Sequence, residues 1–254
     1  MKIVNINVVE LCLTCDCNLN CPNCSHSCSK FPSKEYMPLE KVRSFVDESL
    51  RLNHVWRKIA LNGGEPTLHP HFSEVVDIIC GYKNHNKKFF SNFTKDCIIE
   101  VVTNGYGRKV NKVLASISDP CVTIRNSFVR KGCSLQNKLD SHFDFYVAPV
   151  DLEEYKNDSF SKGCKYAHTC GVAYTNNGFY PCSVSAHIDR VMGFNLGLPT
   201  LEDVRDMDMD TMLKSFCKYC GLYKKNKKNN LEGNPMSSTW KEIYKKYNEW
   251  MSTK

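Results

Sequence analysis

No stretch of this chain approaches the roughly 18 consecutive apolar residues of a membrane-spanning helix, so no membrane partner is expected. An export signal is missing too: "MKIVNINVVELC" carries Asn5, Asn7 and Glu10 inside its apolar run and has no small-residue cleavage pattern, so it reads as a strand. Long blocks of one charge are absent. The net charge is only +7, part of it from "YKKNKKNN" at 223–230, which reads as a solvated linker, and no nucleic-acid partner is expected. "DMDMD" at 206–210 lacks the calcium-loop pattern, and there is no internal repeat. With 42% hydrophobic and 24% charged residues, disorder throughout is excluded, and 254 residues suffice for one large domain with a smaller appendage.

Cysteine is the residue in excess, at fifteen. In a chain read as cytoplasmic, disulfides seldom persist and thiols are kept for metals or catalysis.

Short β-branched runs alternate with helical periodicity from residue 1 to about 150, the pattern of consecutive βα units. Strands are expected at 3–11, within 57–66, and at 98–105, 121–127 and 143–151; helices are expected at 39–52, 72–80 and 108–117. The fold class is α/β, a partial (β/α) TIM-like barrel of about five to six units over 1–158, whose chemistry gathers at the carboxyl ends of its strands. From 159 to 223 the chain becomes turn-rich and cysteine-bearing, a small auxiliary domain with a hairpin at Asn176–Asn177–Gly178 and one helix across "LPTLEDVRDMDMDTMLKSF". The remainder, 224–254, is a basic linker and a helix over 240–251, with Thr239 and Glu242 as a capping box and Trp240, Ile243, Tyr244, Tyr247 and Met251 on one face.

"CNLNCPNC" places thiols at Cys17, Cys21 and Cys24. A structural zinc site closes with four ligands, so three thiols imply either a distant fourth, with Cys12, Cys15 or Cys28 available for a zinc knuckle, or a metal centre left incomplete. The spacing Cys-x3-Cys-x2-Cys resembles the signature of the radical S-adenosylmethionine (SAM) superfamily. That resemblance implies a [4Fe–4S] cluster held at three irons, with the fourth open to the methionine end of SAM. "LNGGEPTLHPHF" at 61–72 resembles the glycine–glycine–glutamate motif of the same superfamily, which implies that Gly63 and Gly64 admit close approach to the SAM amino group and that Glu65 helps hold it. "VVTNG" at 101–105 resembles its third-strand ending, which brings in Asn104, and Asn126 and Ser127 are implied to face the SAM ribose. Arg125 is a candidate for orienting a polar substrate, with a salt bridge at the barrel rim as the alternative. The chain departs from many members in having Asn23, not an aromatic residue, before the third cysteine.

A second cysteine set, Cys170, Cys182, Cys217 and Cys220, with Cys164 able to substitute for Cys170, resembles the short auxiliary-cluster module called Twitch, a relative of SPASM. The alternative is a zinc staple. The combination resembles the aminocyclitol alcohol dehydrogenases of aminoglycoside biosynthesis. It implies a 5′-deoxyadenosyl radical that abstracts hydrogen from a small polar molecule, a sugar or aminocyclitol, in a two-electron oxidation with the auxiliary [4Fe–4S] cluster as electron acceptor and a donor such as flavodoxin or ferredoxin as reductant. The competing readings are a peptide-modifying radical SAM enzyme, acting by epimerisation or thioether formation, and a non-catalytic zinc or redox module. His26, His69 and His71 are expected as hydrogen-bonded turn residues, Cys80 and Cys121 as core thiols, and Cys97 and Cys133 show no spacing for a third cluster.

Overall fold

The computed structural model describes residues 4–21, 23–28, 34–89, 97–127, 145–223 and 236–253. Cys133 and the linker expected at 224–230 lie outside them.

β-Branched runs form β1 (Val8–Cys12), β2 (Lys58–Asn62), β3 (Ile98–Thr103) and β4 (Val122–Asn126), all parallel. The four connect through α1 (Leu39–Arg51), α2 (Phe72–Phe89) and α3 (Arg108–Ser116), the consecutive βα units expected of a partial barrel. Period-2 alternation sends Val9, Leu11, Ile59, Leu61, Ile99 and Val101 into a core with Val42, Phe45, Val75 and Ile79 of α1 and α2. Each such side chain, fully buried, stabilises the fold by about 1.5–3 kcal/mol. The opposite face carries Glu10, Lys58, Ala60, Asn62, Glu100 and Arg125, with Glu10, Ala60 and Glu100 in register across β1–β3. One face of the sheet is therefore core and the other is polar.

The expected strand at 143–151 is not one: over the described residues 145–151 the backbone turns into a short 3-10 helix at Pro149–Asp151. Its hydrogen bonds go to the cysteine-rich segment and the carboxy-terminal helix, with Gly221 N donating to Phe145 O, Val150 N to Lys218 O and Ser237 N to Tyr146 O. A fifth parallel strand comes later, β5 (Val172–Thr175), which pairs with the other edge of β1, Glu10 opposite Ala173. Gly171, at φ +72°, makes this docking possible: a Cβ there would stand 2.1 Å from Val8 O. The expected hairpin is present, with β6 (Gly178–Tyr180) antiparallel to β5 and the order β4-β3-β2-β1-β5-β6.

Among the described residues five further helices follow α3: α4 (Lys165–Cys170), α5 (Ser183–Met192), α6 (Leu201–Asp206), α7 (Met209–Cys217) and α8 (Ser238–Ser252). The single helix expected at 198–216 is two, because Asp208 accepts from Thr211 N and Oγ1 and starts a new cap. The capping box expected at Thr239 and Glu242 is not formed: Thr239 donates to Asp151, and Glu242 pairs with Lys246 at 2.7 Å. The apolar face of α8 does form, and Trp240, Tyr244 and Tyr247 share a second core with Phe145, Tyr146 and the α5 residues Ile188 and Val191. Cys80 and Cys121, expected as separate core thiols, form a disulfide between α2 and the residue before β4, where Lys83 also donates to Cys121 O. No described helix is long and apolar enough to cross a membrane.

Candidate active site

Because β1–β4 run parallel, the loops at their carboxyl ends share one rim. The loop after β1 holds Cys17, Cys21 and Cys24, all half-buried. It begins as an added ladder rung: Cys15 N donates to Glu35 O, Thr14 Oγ1 donates to Glu35 O and accepts from Asp16 N, and Asp16 is held by Lys34 and Tyr36. Farther along, Tyr146 Oη donates to Cys24 O at 3.1 Å.

The turn after β2 lies directly on this loop. Gly64 N and Glu65 N donate to Thr14 O and Asp16 O at 2.8 Å each, and a Cβ on Gly63 or Gly64 would stand 2.4 Å from Thr14 O or 2.2 Å from Asp16 O. Both glycines are thus required by contact with the cysteine loop, whatever binds beyond it. Glu65 is fully buried with its carboxylate filled by protein donors: Oε1 accepts from Thr67 Oγ1 (2.6 Å), Thr67 N (3.3 Å) and Thr103 Oγ1 (2.8 Å), and Oε2 from Asn104 N (2.7 Å). Its role is to bolt the ends of β2 and β3 together. Asn104, so placed, aims its amide at Asn18 Oδ1 (2.8 Å) and Cys17 Sγ (3.8 Å). At the end of β4, the Asn126 side chain lies over Gly105 and Ser127 N donates to Thr103 O.

Arg125 sits on the polar face, half exposed, with Nε 3.1 Å from Glu100, which Lys58 also meets at 3.4 Å. The rim salt bridge is therefore formed. The three histidines are turn residues as expected: His26 Nδ1 lies 2.7 Å from Gly63 O, His69 Nε2 2.8 Å from Met37 O and His71 Nδ1 2.7 Å from Glu74.

Electrostatics separate the thiols. Burial pushes Cys17 up to about 12, with Cys24, Cys21 and Glu65 adding to the rise. The Cys28 thiol beside Cys24 holds Cys24 well below the usual thiol range and is itself pushed up. Cys15 is taken up by Arg190 of α5, whose Nη1 donates to its sulfur while Nη2 donates to His26 O at 2.8 Å. The sequence signal for Arg190 is a lone basic residue in a helix otherwise buried along its length.

In the second cysteine set, Cys164 and Cys170 take different positions. Cys164, Cys182, Cys217 and Cys220 line one apolar cavity with Ala167, Leu213 and Phe216, whereas Cys170 is outside it, hydrogen-bonded to Thr169 and Glu10. The six-residue helix α4 separates the two, carrying Cys170 toward β1 and leaving Cys164 at its start over the cavity. Burial raises Cys217 and Cys220 well above the usual range and Cys182 to about 11, and each is raised further by its thiol neighbours.

Among the described residues, the group of three or more metal-type ligands within 4.8 Å of one another is Cys80, Asp119 and Cys121, whose two sulfurs are joined in the disulfide.

No family model and no curated protein matches the chain. Among solved structures, it is similar to the crystal structure of BtrN in complex with AdoMet and 2-DOIA, at 15% identity and a TM-score of 0.49, with 89% of this chain and 94% of that one covered.

Proposed function

We propose that this chain is a radical SAM oxidoreductase, with a [4Fe–4S] cluster on Cys17, Cys21 and Cys24 and an auxiliary cluster on Cys164, Cys182, Cys217 and Cys220. The observation that carries the reading is the joint geometry: three thiols on the loop after β1, the Gly63–Gly64 turn packed onto that loop, and a separate cavity of four thiols. Cys17, Cys21 and Cys24 would hold the cluster, which together with SAM would supply radical chemistry for hydrogen abstraction from a substrate carbon.

The protein's own residues orient and exclude. Glu65 fixes Asn104 against Cys17, Gly63 and Gly64 keep the rim tight, and Tyr146 closes the loop from the side of α8. The polar sheet face, with Glu10, Lys58, Asn62, Glu100 and Arg125, suits a small polar substrate such as a sugar or aminocyclitol more than an apolar one. Cys164, Cys182, Cys217 and Cys220 would hold the auxiliary cluster, which would supply a one-electron acceptor for a two-electron oxidation. A flavodoxin- or ferredoxin-type donor would supply the reducing electron.

The test is anaerobic reconstitution. About eight irons and eight sulfides per chain are expected, with SAM cleaved to 5′-deoxyadenosine under reductant and no cleavage after Cys17→Ala, Cys21→Ala or Cys24→Ala. The position of Cys28 beside Cys24 favours one second reading, a fourth thiolate that closes a non-catalytic metal site. Iron-free protein that binds zinc would establish that reading and overturn the first.

A further inference from the structure

Buried polar atoms without a hydrogen-bond partner each call for an explanation, and the described residues hold several. They include Glu10 Oε2 on β1, Asn23 Oδ1 in the cysteine loop, Asn176 Oδ1 in the β5–β6 turn and His187 Nε2 on α5. Two of these residues, Asn176 and His187, line one cleft at the carboxyl ends of β1 and β5, with Thr14, Cys15, Glu35 and Arg190 as further walls.

His187 is only 3% exposed. Burial, reinforced by His26 and Arg190, pushes its imidazole well below the usual range, so Nε2 belongs to a neutral ring that can either donate or accept. Stacking on His26, with ring centroids 4.4 Å apart, fixes the ring plane. Asn176 is anchored through Nδ2 on Tyr36 O at 3.4 Å, and its unfilled Oδ1 requires a donor. A hydroxyl both donates and accepts, and so satisfies either group. The cavity measures about 30 Å³, and since about 10–15 Å³ holds a water, there is room for one or two hydroxyl groups and not for a whole ring.

We propose that this cleft is a hydroxyl-recognition site in which Asn176 and His187 hold the vicinal diol edge of a small polyol. The proposal rests on the radical SAM reading only in taking that polyol to be the substrate; the cleft itself stands on its geometry.

The test uses the cluster-loaded full chain, with myo-inositol as the probe and cyclohexanol as the control, followed by saturation-transfer NMR. Saturable binding of myo-inositol and none of cyclohexanol is expected, weakened about tenfold by Asn176→Leu or His187→Phe, the worth of one hydrogen bond. His187→Gln, which keeps an acceptor in place, should bind within about threefold of the parent, since the hydrogen bond is retained. If the leucine and phenylalanine variants do not fold, the His187 imidazole nitrogen shift in the parent protein decides, and a shift on adding myo-inositol is expected. No saturable binding, meaning ordered water only, equal binding in the apolar variants, or an unmoved imidazole signal overturns the proposal. SAM cleavage by the same preparation is scored separately: cleavage without diol binding overturns the cleft alone, and diol binding without cleavage overturns the radical reading alone.

Discussion

Glu65 has no solvent contact and four protein donors on its two oxygens. Removing such an acceptor strands buried donors, which is costlier than the net worth of the bonds. Glu65→Gln should therefore lower unfolding stability by about 2–4 kcal/mol, read from the urea midpoint; an unchanged midpoint would contradict the bolt role. The Gly-Gly-Glu motif was legible as a motif, but the carboxylate's partners were not, because Thr67, Thr103 and Asn104 reach it only once β2 and β3 lie side by side. His54 gives a pH prediction at the same scale. Burial, with Arg205 adding to it, lowers its pKa from 6.5 to about 4, and its Nε2 lies 3.1 Å from Ile6 O. The unfolded chain takes up the proton more readily than the folded one, so this contribution to stability is complete above pH 6.5 and is lost as pH falls toward 4. His54→Gln should flatten the stability profile across that window, measured by thermal unfolding at stepped pH.

At the scale of elements, β1–β4 and α1–α3 were legible because their apolar periods are unambiguous and their loops carry the glycine and cysteine motifs. The segment 145–151 misled because "FYVAPV" has strand composition, yet its backbone groups are taken by residues 218–221 and Ser237. Spacing alone could not choose between Cys164 and Cys170, since either leads into the hairpin; only the formation of α4 turns one toward the cavity and the other toward Glu10. Cys164→Ala should accordingly cost about four irons per chain, one cube, while Cys170→Ala keeps the full complement, as counted by iron and sulfide analysis. Helix α8 is a load in the second core: Trp240 is fully buried and donates from Nε1 to Tyr219 O at 2.8 Å. Trp240→Ala should cost about 3–5 kcal/mol, visible as a lowered denaturation midpoint.

For the whole molecule, the barrel and the cysteine-rich segment share a sheet, since β5 continues it from β1, and they share a core through α5 and α8. Truncation at Lys228 removes α8 and should therefore unfold or aggregate the protein, checked by size-exclusion chromatography; a monodisperse, folded product would show that α8 is dispensable to the core. Helix α5 runs from the four-thiol cavity to the loop after β1. Its cap, Cys182, is a wall of the four-thiol cavity, and Arg190 in its last turn touches the cysteine loop after β1. Eight residues at 1.5 Å each make that span about 12 Å. A rigid rod of this kind acts as a ruler: it holds the four-thiol cavity and the loop after β1 at one separation, written into a single helix.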